Sequence, residues 1–158
     1  MSEPLGIGLR ALVVDDEQPI RDLMRTVLEL EGWEVHEAED GPQALALARA
    51  ERPHGVVLDV MMPGVDGFDV LGALRKTEYG RAMAIVMLTA KTRPTDILRG
   101  TRLGADLYVT KPFDPNHVAE RLAFHALRRS PGARTEGSSA VRPGRRRPPR
   151  GTRAEPTS

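Results

Sequence analysis

The stretch Leu12-Val13-Val14-Asp15-Asp16 places a short apolar run directly before two aspartates, and three later stretches of the 158-residue chain have a similar design. These are Val56-Val57-Leu58-Asp59, Ile85-Val86-Met87-Leu88-Thr89 and Leu107-Tyr108-Val109-Thr110-Lys111. Short apolar runs separated by helix-length segments are typical of strands buried on both faces of a parallel sheet. Because the ends of parallel strands lie along one edge, we expect these polar residues to meet where open α/β sheets bind ligands.

Five segments between and after these runs have the apolar spacing and the end signals of helices. Pro19 suits a first helical turn, Gly32 closes the first helix, and Gly104 is the expected left-handed end of the fourth. The predicted helices extend from after Asp16 to Gly32, from Gly41 to before Pro53, and over residues 68–76, 94–103 and 114–129. The fourth helix has the weakest apolar stripe, so we expect it to shift at low cost.

A further strand is predicted at Trp33–Ala38, where apolar and polar residues alternate as they do in an edge strand. Right-handed crossovers between parallel strands place helices on both faces of a sheet. The sequence therefore predicts a three-layer α/β sandwich with a five-stranded parallel sheet in the order 2-1-3-4-5 and five helices.

Charge is distributed unevenly along the chain. Residues 1–127 carry 14 Lys and Arg against 20 Asp and Glu, a net charge of −6, whereas residues 130–158 carry 7 Arg against 2 Glu, a net charge of +5. The segment from residue 130 onward is rich in Pro, Gly, Ser and Arg and has no aromatic residue, so it cannot bury enough apolar surface to fold. We predict one folded domain over residues 8–129 and a disordered Arg- and Pro-rich tail over residues 130–158.

The chain has no cysteine, so disulfide and thiol chemistry are excluded. Met1–Arg10 lacks the basic start and the apolar stretch of a signal peptide, and no run is long enough to cross a membrane. We therefore expect a soluble cytoplasmic protein with no membrane partner. The histidines show no ligand spacing with one another, and we interpret them as surface or partly buried residues: His36, His54, His117 and His125.

Three carboxylates are predicted to lie close together at the strand ends: Asp15, Asp16 and Asp59. Charge repulsion makes this placement costly unless a cation or a proton intervenes. A hard divalent ion with oxygen ligands is the natural partner, and the small number of protein ligands favours Mg²⁺ over Ca²⁺. The alternative is that the aspartates only end strands or cap helices, as a single Asp often does. Their recurrence directly after two buried strands favours the metal site.

Lys111 and Thr89 offer the contacts that a phosphoryl group needs at the same edge of the sheet. An ammonium group can pair with one phosphoryl oxygen, a hydroxyl can hydrogen-bond a second, and a metal ion can neutralise a third. A carboxylate can itself be the nucleophile and form an aspartyl phosphate. The combination therefore indicates chemistry on a phosphoryl group.

Together, these motifs resemble the receiver domain of two-component response regulators. The resemblance is carried by Val13–Glu17, Leu58–Gly67, Leu88-Thr89-Ala90 and Tyr108–Phe113, and it covers Arg10–Arg129. All the motifs occur in the family's order, and their combination is highly specific. The resemblance implies a flavodoxin-like fold and a signalling switch rather than an enzyme in the ordinary sense.

The resemblance also implies roles for the residues at the strand ends. Asp59 would be the phosphoacceptor, which receives its phosphoryl group from a sensor histidine kinase or a phosphotransfer protein. Asp15 and Asp16 would bind Mg²⁺ together with Asp59 and the backbone carbonyl of Met61. Lys111 would contact the phosphoryl group.

The expected response to phosphorylation follows from the same resemblance. Thr89 would be the switch hydroxyl that moves toward the phosphoryl group, and Tyr108 the aromatic residue that follows it inward. The Lys111-Pro112 peptide is expected to be cis. The output surface would be formed by the fourth predicted helix, the fifth strand and the last helix.

Several positions depart from the pattern of the family. The predicted neighbours of the phosphoryl group, Met61, Ala90 and Lys91, include no carboxylate or amide that could orient a hydrolytic water, so we expect a longer-lived aspartyl phosphate than in fast chemotaxis-type members. His117 and Leu107 stand where dimerising receivers tend to have acidic residues. We therefore do not expect dimerisation through a salt-bridged surface of this type.

The Arg-rich tail allows an alternative interpretation. Arg145-Arg146-Arg147 and nearby arginines could neutralise nucleic-acid phosphates, but the tail has no aromatic residue for base stacking and no helix-turn-helix pattern. We favour a solvated extension, and a third option is that the tail folds back and tunes access to Asp59. The sequence is interpreted as a stand-alone response regulator that acts on an unidentified partner protein, with phosphorylation-gated nucleic-acid binding as the alternative.

Overall fold

The computed structural model of the protein describes Gly6 and residues 8–129. The prediction of a disordered tail at residues 130–158 falls outside the described residues. The strands are β1 (Arg10–Val14), β2 (Glu34–Ala38), β3 (Gly55–Leu58), β4 (Ala84–Thr89) and β5 (Leu107–Thr110). The helices are α1 (Gln18–Leu30), α2 (Gly41–Glu51), α3 (Gly67–Arg75), α4 (Glu78–Arg81), α5 (Pro94–Leu103) and α6 (Pro115–Arg129).

The five strands form one parallel sheet in the order β2-β1-β3-β4-β5, as the sequence predicts. Every residue of β3 and β4 is buried, because helices cover both faces of the sheet there. Strand β2 lies at the edge of the sheet, as its mixed sequence predicts, and its burial is mixed: Val35 and Ala38 are buried, whereas the other three residues are exposed or partly buried. The expected three-layer α/β sandwich is therefore present.

Two apolar clusters hold the layers together, one on each face of the sheet. Helices α1 and α6 contribute Met24, Leu28 and Leu122 to the first cluster, where they pack with Val13 and Val57. The second cluster contains buried side chains of α2 and α3 packed on the opposite face of the strands. Burial of these side chains away from water is the main stabilising contribution to the fold.

Residues 8–129 contain six helices rather than the five that the sequence predicts, and the additional one is α4. Four residues are too few to show an apolar period. The helix is set by local hydrogen bonds instead: Thr77 Oγ1 accepts from the backbone N–H of Gly80 at 2.9 Å and donates to the Leu74 carbonyl at 2.8 Å. At Gly80 an added Cβ would lie 1.8 Å from the Leu74 carbonyl oxygen, so this turn requires glycine.

Helix α5 has the weak apolar face that its sequence predicts. Its buried residues are Asp96 and Gly100, and the apolar side chains of Ile97 and Leu98 are 37% and 47% exposed. The helix ends at Gly104 with a φ of 107°, the left-handed conformation expected there. With few apolar side chains in the core, α5 can move relative to the sheet at a smaller cost than the other long helices.

Asp106, just before β5, joins four elements through one carboxylate. It accepts hydrogen bonds from Arg75 at 3.1 Å, from Arg129 at 2.9 Å and from the backbone N–H of Ile85 at 2.9 Å. Arg75 also donates to the backbone carbonyl of Gly104 at 2.9 Å. Burial and the nearby charge of Arg129 lower the pKa of Arg75 to about 10, against the opposing effect of Asp106. Asp106 is therefore the charge that balances a partly buried arginine beside β4.

We expect Asp106→Ala to lower the free energy of unfolding by about 3 kcal/mol, because it leaves the partly buried Arg75 guanidinium without its carboxylate. Urea denaturation followed by circular dichroism would measure the change. Asp69→Ala is the matched control: Asp69 is exposed in the first turn of α3, and its loss should cost less than about 1 kcal/mol. Equal effects for the two variants would contradict a structural role for Asp106.

Candidate functional site

The carboxylates predicted to meet at the sheet edge lie together in the structure. Val14 pairs with Leu58, so Asp15 and Asp59 each follow at the same level of neighbouring strands. Asp15 and Asp59 are 2% and 3% exposed, whereas Asp16 is exposed to solvent. One oxygen from each of the three carboxylates lies within 4.8 Å of the others.

Lys111 places an ammonium group between the two buried carboxylates. Its Nζ lies 3.2 Å from Asp15 Oδ2 and 3.5 Å from Asp59 Oδ2, with Glu17 Oε1 at 3.8 Å. Burial alone would lower the pKa of Lys111, but the charges of Asp59 and Asp15 raise it above the ordinary value. Lys111 is therefore protonated at neutral pH and partly offsets the carboxylate repulsion.

The pKa of Asp59 is raised to about 6, first by burial and then by the charge of Asp15. The backbone N–H of Met61, which donates to Asp59 Oδ1 at 3.1 Å, and the ammonium group of Lys111 act in the opposite direction. One lysine therefore does not fully compensate the buried negative charge. A site of this kind favours an additional cation, a proton or an electrophile at Asp59.

Local hydrogen bonds fix the loop after β1. Asp15 Oδ1 accepts from the backbone N–H of Glu17 at 2.9 Å, and Arg21 of α1 donates to the Asp15 carbonyl at 2.7 Å. Arg21 also pairs with Glu37 on β2 at 3.2 Å. The sequence analysis did not single out Arg21, although it occupies the same face of α1 as the buried Met24 and so stands at a position where a charge is unexpected.

The loop after β3 is shaped by a close approach of α3. The backbone N–H of Gly67 donates to the Val60 carbonyl at 2.9 Å, and a Cβ at Gly67 would lie 2.1 Å from the Asp59 carbonyl oxygen. Only glycine fits this contact, which brings the start of α3 against the backbone of the buried aspartate. Met61 in the same loop is 53% exposed, and its backbone N–H contacts the Asp59 carboxylate.

Thr89 lies at the end of β4, fully buried, and its backbone carbonyl accepts from the N–H of Lys111 at 2.8 Å. The Thr89 hydroxyl accepts from the backbone N–H of Lys91 at 3.3 Å. Ala90, between them, is exposed. The Lys111-Pro112 peptide is cis, as the resemblance implies. Thr89 and Lys111 thus start neighbouring loops beside the carboxylates.

Tyr108 connects β5 to the loop that follows Thr89. Its hydroxyl donates to the backbone carbonyl of Lys91 at 3.0 Å. Its ring lies against α5 at Gly100, where an added Cβ would be 2.9 Å from Tyr108 Cδ2. A displacement of the loop at Lys91 would therefore act on Tyr108 and on α5 together.

A second group of possible ligands was missed by the sequence analysis. His36 Nε2 lies 2.8 Å from Glu34 and 3.6 Å from Glu51, and one donor atom from each of the three lies within 4.8 Å of the others. Glu34 and His36 have the i, i+2 spacing of one strand face, but Glu51 comes from the end of α2. His36 is partly buried, in agreement with its interpretation from the sequence. Both of its contacts are with carboxylate groups.

The residues at the sheet edge fit Mg²⁺. The donors of the acidic group are all carboxylate oxygens, two of them buried, and Asp59 holds a destabilised negative charge. Hard divalent ions prefer such ligands, and a site with few protein ligands leaves positions for water or a phosphoryl oxygen. Asp15, Asp16 and Asp59 would hold the ion, with the exposed loop at Met61 close by.

Comparison with known proteins identifies the family. Residues 11–123 match the family model described as the response regulator receiver domain. The chain therefore belongs to the receiver-domain family of two-component systems, whose members are signalling switches. The structure describes no helix that is both long and apolar enough to span a membrane.

Curated relatives share this part of their sequences with the chain. The probable transcriptional regulatory protein TcrX of Mycobacterium tuberculosis is 43% identical over 135 residues, which cover 85% of this chain and 56% of the relative. The alkaline phosphatase synthesis transcriptional regulatory protein PhoP of Bacillus subtilis is 46% identical over 121 residues, 77% of this chain and 49% of the relative. The chain thus spans about half the length of these relatives.

Solved structures have the same fold. The chemotaxis response regulator CheY4 of Vibrio cholerae superposes with a TM-score of 0.69 at 34% identity, covering 74% of this chain and 98% of that one. A CheY-like receiver domain protein of Methanospirillum hungatei gives a TM-score of 0.73 at 27% identity, covering 78% of this chain and 97% of that one. The flavodoxin-like expectation for the fold is confirmed.

The raised pKa of Asp59 gives a pH-dependent stability with a defined sign. Between pH 3.8 and about 6 the folded chain keeps a proton on Asp59 that the unfolded chain has lost. The contribution of Asp59 to the free energy of unfolding therefore falls as pH rises through this range, by at most about 3 kcal/mol without metal. We expect Asp59→Asn to be more stable than the wild type at pH 7 and equally stable near pH 3.5.

Urea unfolding at both pH values in the presence of EDTA would measure this difference. Asp69→Asn, at an exposed position, controls for the general effect of removing a carboxylate. A variant Asp59→Asn that is less stable than the wild type at pH 7 would show that the charge of Asp59 is not destabilising.

Proposed function

We propose that the chain is a phosphorylation-dependent switch in which Asp59 accepts a phosphoryl group from a histidine kinase or phosphotransfer protein in a Mg²⁺-dependent reaction. The observation that carries this proposal is the position of the Lys111 ammonium group, within 3.5 Å of the buried Asp59 carboxylate and 3.2 Å from Asp15. Two carboxylates and a lysine at the carboxyl edge of a parallel sheet provide a nucleophile, metal ligands and a phosphoryl contact in one place.

The transfer uses Asp59 as an oxygen nucleophile. An Asp59 oxygen attacks the phosphorus of a phosphohistidine, the new P–O bond replaces the P–N bond, and the histidine nitrogen leaves with the bonding electron pair. Asp59 Oδ1 is held by the backbone N–H of Met61, whereas Oδ2 lies 3.5 Å from Lys111. Bound Mg²⁺ supplies further neutralisation of the phosphoryl charge. Lys111 stabilises a phosphoryl oxygen as negative charge develops on it.

The switch follows from the connections of Thr89 and Tyr108. Recruitment of the Thr89 hydroxyl to the phosphoryl group would break its 3.3 Å contact with the N–H of Lys91. The Lys91 carbonyl holds the hydroxyl of Tyr108, so the loop, Tyr108 and α5 would respond together. The weakly anchored α5 can adopt a new position at low cost. We propose that the surface formed by α5, β5 and α6 carries this change to a partner protein.

The proposed product is a changed conformation rather than a released metabolite. The proposed chemistry is the acceptance of a phosphoryl group by Asp59, followed by slow hydrolysis of the aspartyl phosphate. We therefore do not propose an enzyme in the ordinary sense. The relatives named above are transcriptional regulatory proteins, which supports regulation as the proposed role of this chain. The downstream partner is proposed to be a protein.

Beryllofluoride, which mimics a phosphoryl group, tests the switch in the full chain. With Mg²⁺ present, we expect amide chemical-shift changes in the wild type around Asp59, Thr89, Tyr108 and α5. Asp59→Asn should abolish them because it lacks the anionic oxygen that binds beryllium. Asp69→Asn should respond as the wild type does. A wild type that does not respond would contradict the proposed function.

The lifetime of the aspartyl phosphate tests the role of the neighbouring side chains. Neither the thioether of Met61 nor the ammonium group of Lys91 can accept a proton from a water molecule. We therefore expect the wild-type phosphoryl group to persist well beyond seconds. Met61→Asn combined with Lys91→Glu should shorten the half-life by roughly tenfold, which corresponds to about 1.4 kcal/mol of activation free energy.

The measurement is the loss of radiolabelled phosphate after the phosphoryl donor is removed. Met61→Leu, which keeps an apolar side chain, should leave the half-life unchanged. A wild-type half-life of seconds would contradict the expectation.

A further inference from the structure

A groove with a volume of about 780 Å³ lies between α3 and α5. The α3 side is formed by Phe68, Asp69, Gly72, Ala73 and Lys76, and the α5 side by Thr95, Leu98, Arg99, Arg102 and Leu103. It is distinct from the proposed output surface, because it opens between α5 and α3 rather than between α5, β5 and α6.

The floor of the groove is apolar and accessible. Leu98 lines the groove and is 47% exposed, so it offers apolar surface to a bound partner. Gly72 contributes no side chain, and a Cβ there would meet only Leu103, at the ordinary contact distance of 3.8 Å. The helices thus leave apolar surface uncovered where a modest side chain at position 72 would have filled it.

The rim of the groove carries unbalanced positive charge. Lys76, Arg99 and Arg102 line it against a single carboxylate, Asp69. Within the part of the chain that the structure describes, none of these three cations forms a salt bridge, whereas nearby arginines do: Arg75 and Arg129 with Asp106, and Arg93 with Asp96. Arg99 instead lies over the ring of Phe68, 4.4 Å from its centroid.

We propose that this groove binds an acidic, amphipathic helical segment of a partner protein. The apolar face of such a segment would cover Leu98 and its neighbours, and its carboxylates would pair with Lys76, Arg99 and Arg102. Helix α5 has 10 residues, so the groove is about 15 Å long and suits about three turns of a bound helix. The positive rim favours this partner over the basic tail of the same chain, which it would repel.

The groove is connected to the switch through Gly100. A Cβ at this position would lie 2.9 Å from Tyr108 Cδ2 and 3.5 Å from Phe68 Cε1, so Gly100 is close to both rings. A movement of Tyr108 would therefore displace α5 at Gly100, next to Phe68, which lines the groove. Control of the groove by phosphorylation rests on the proposed function: phosphorylation of Asp59 would change the affinity of the groove for its partner.

Fluorescence anisotropy with a labelled synthetic helix of about 15 residues, with Leu on one face and Glu on the other, tests the proposal. Two further peptides replace the Glu residues by Lys or the Leu residues by Ser. The full chain is titrated as wild type, as the double variant Arg99→Glu/Arg102→Glu, and as Arg49→Glu, a charge-reversal control at an exposed position of α2. Circular dichroism checks that each variant is folded.

We expect only the Leu/Glu peptide to bind the wild type, with an affinity about tenfold lower for the double variant and unchanged for Arg49→Glu. Equal binding of the Ser-substituted peptide, or an affinity that the double substitution leaves unchanged, would overturn the proposal, because it would locate the interaction at other basic residues such as those of the tail. Binding of the Lys peptide would also overturn it.

Repeating the titration with beryllofluoride and Mg²⁺ separates this inference from the proposed function. If amide shifts respond to beryllofluoride but the Leu/Glu peptide binds in neither state, the docking proposal is wrong and the switch stands. If the peptide binds in a manner that depends on Arg99 and Arg102 while beryllofluoride causes no response, the docking stands and the proposed function fails. A response together with a changed affinity supports both.

Discussion

The repulsion between buried carboxylates at the carboxyl edge of the sheet is the constraint on which the site depends. Asp15 and Asp59 are almost fully buried and share one ammonium group, that of Lys111. The raised pKa of Asp59 shows that this compensation is incomplete. The apolar core supplies the free energy that holds these charges together, and any ligand that neutralises them recovers part of it. The buried charges that the chemistry of the site requires therefore lower the stability of the fold at this edge.

Much of the fold could be predicted because the decisive signals are local in sequence. Apolar runs ending in Asp or Thr identify buried parallel strands, the alternation at Glu34–Ala38 identifies the edge, and Gly104 marks a helix end. Parallel pairing then brings Asp15 and Asp59 together, since they follow neighbouring strands. Lys111 follows β5, which β4 separates from β3, and its Nζ reaches the two carboxylates through the length of the lysine side chain. The resemblance adds roles, but the meeting of the two aspartates follows from topology alone.

What the sequence could not predict depends on contacts between distant residues. Helix α4 forms through the hydroxyl of Thr77 rather than through a periodic pattern. Arg21 and Asp106 appear as ordinary charged residues until the fold places Arg21 against a backbone carbonyl and Asp106 against the partly buried guanidinium of Arg75. Charged residues at apolar positions of a helix, such as Arg21, are the one signal that would have identified part of this network in advance.

Helix α5 connects the phosphorylation site to the proposed docking groove. Few apolar side chains anchor it, Tyr108 contacts it at Gly100, and the hydroxyl of Tyr108 is bonded to the loop after Thr89. A phosphoryl group at Asp59 and a segment bound beside Phe68 would each favour particular positions of the same helix. Linkage then requires reciprocity: if phosphorylation strengthens binding of the partner by some factor, the partner must favour the phosphorylated state by the same factor. Such coupling requires a weakly packed helix, because the free-energy cost of moving a helix that is fixed by the core would exceed what either ligand can supply.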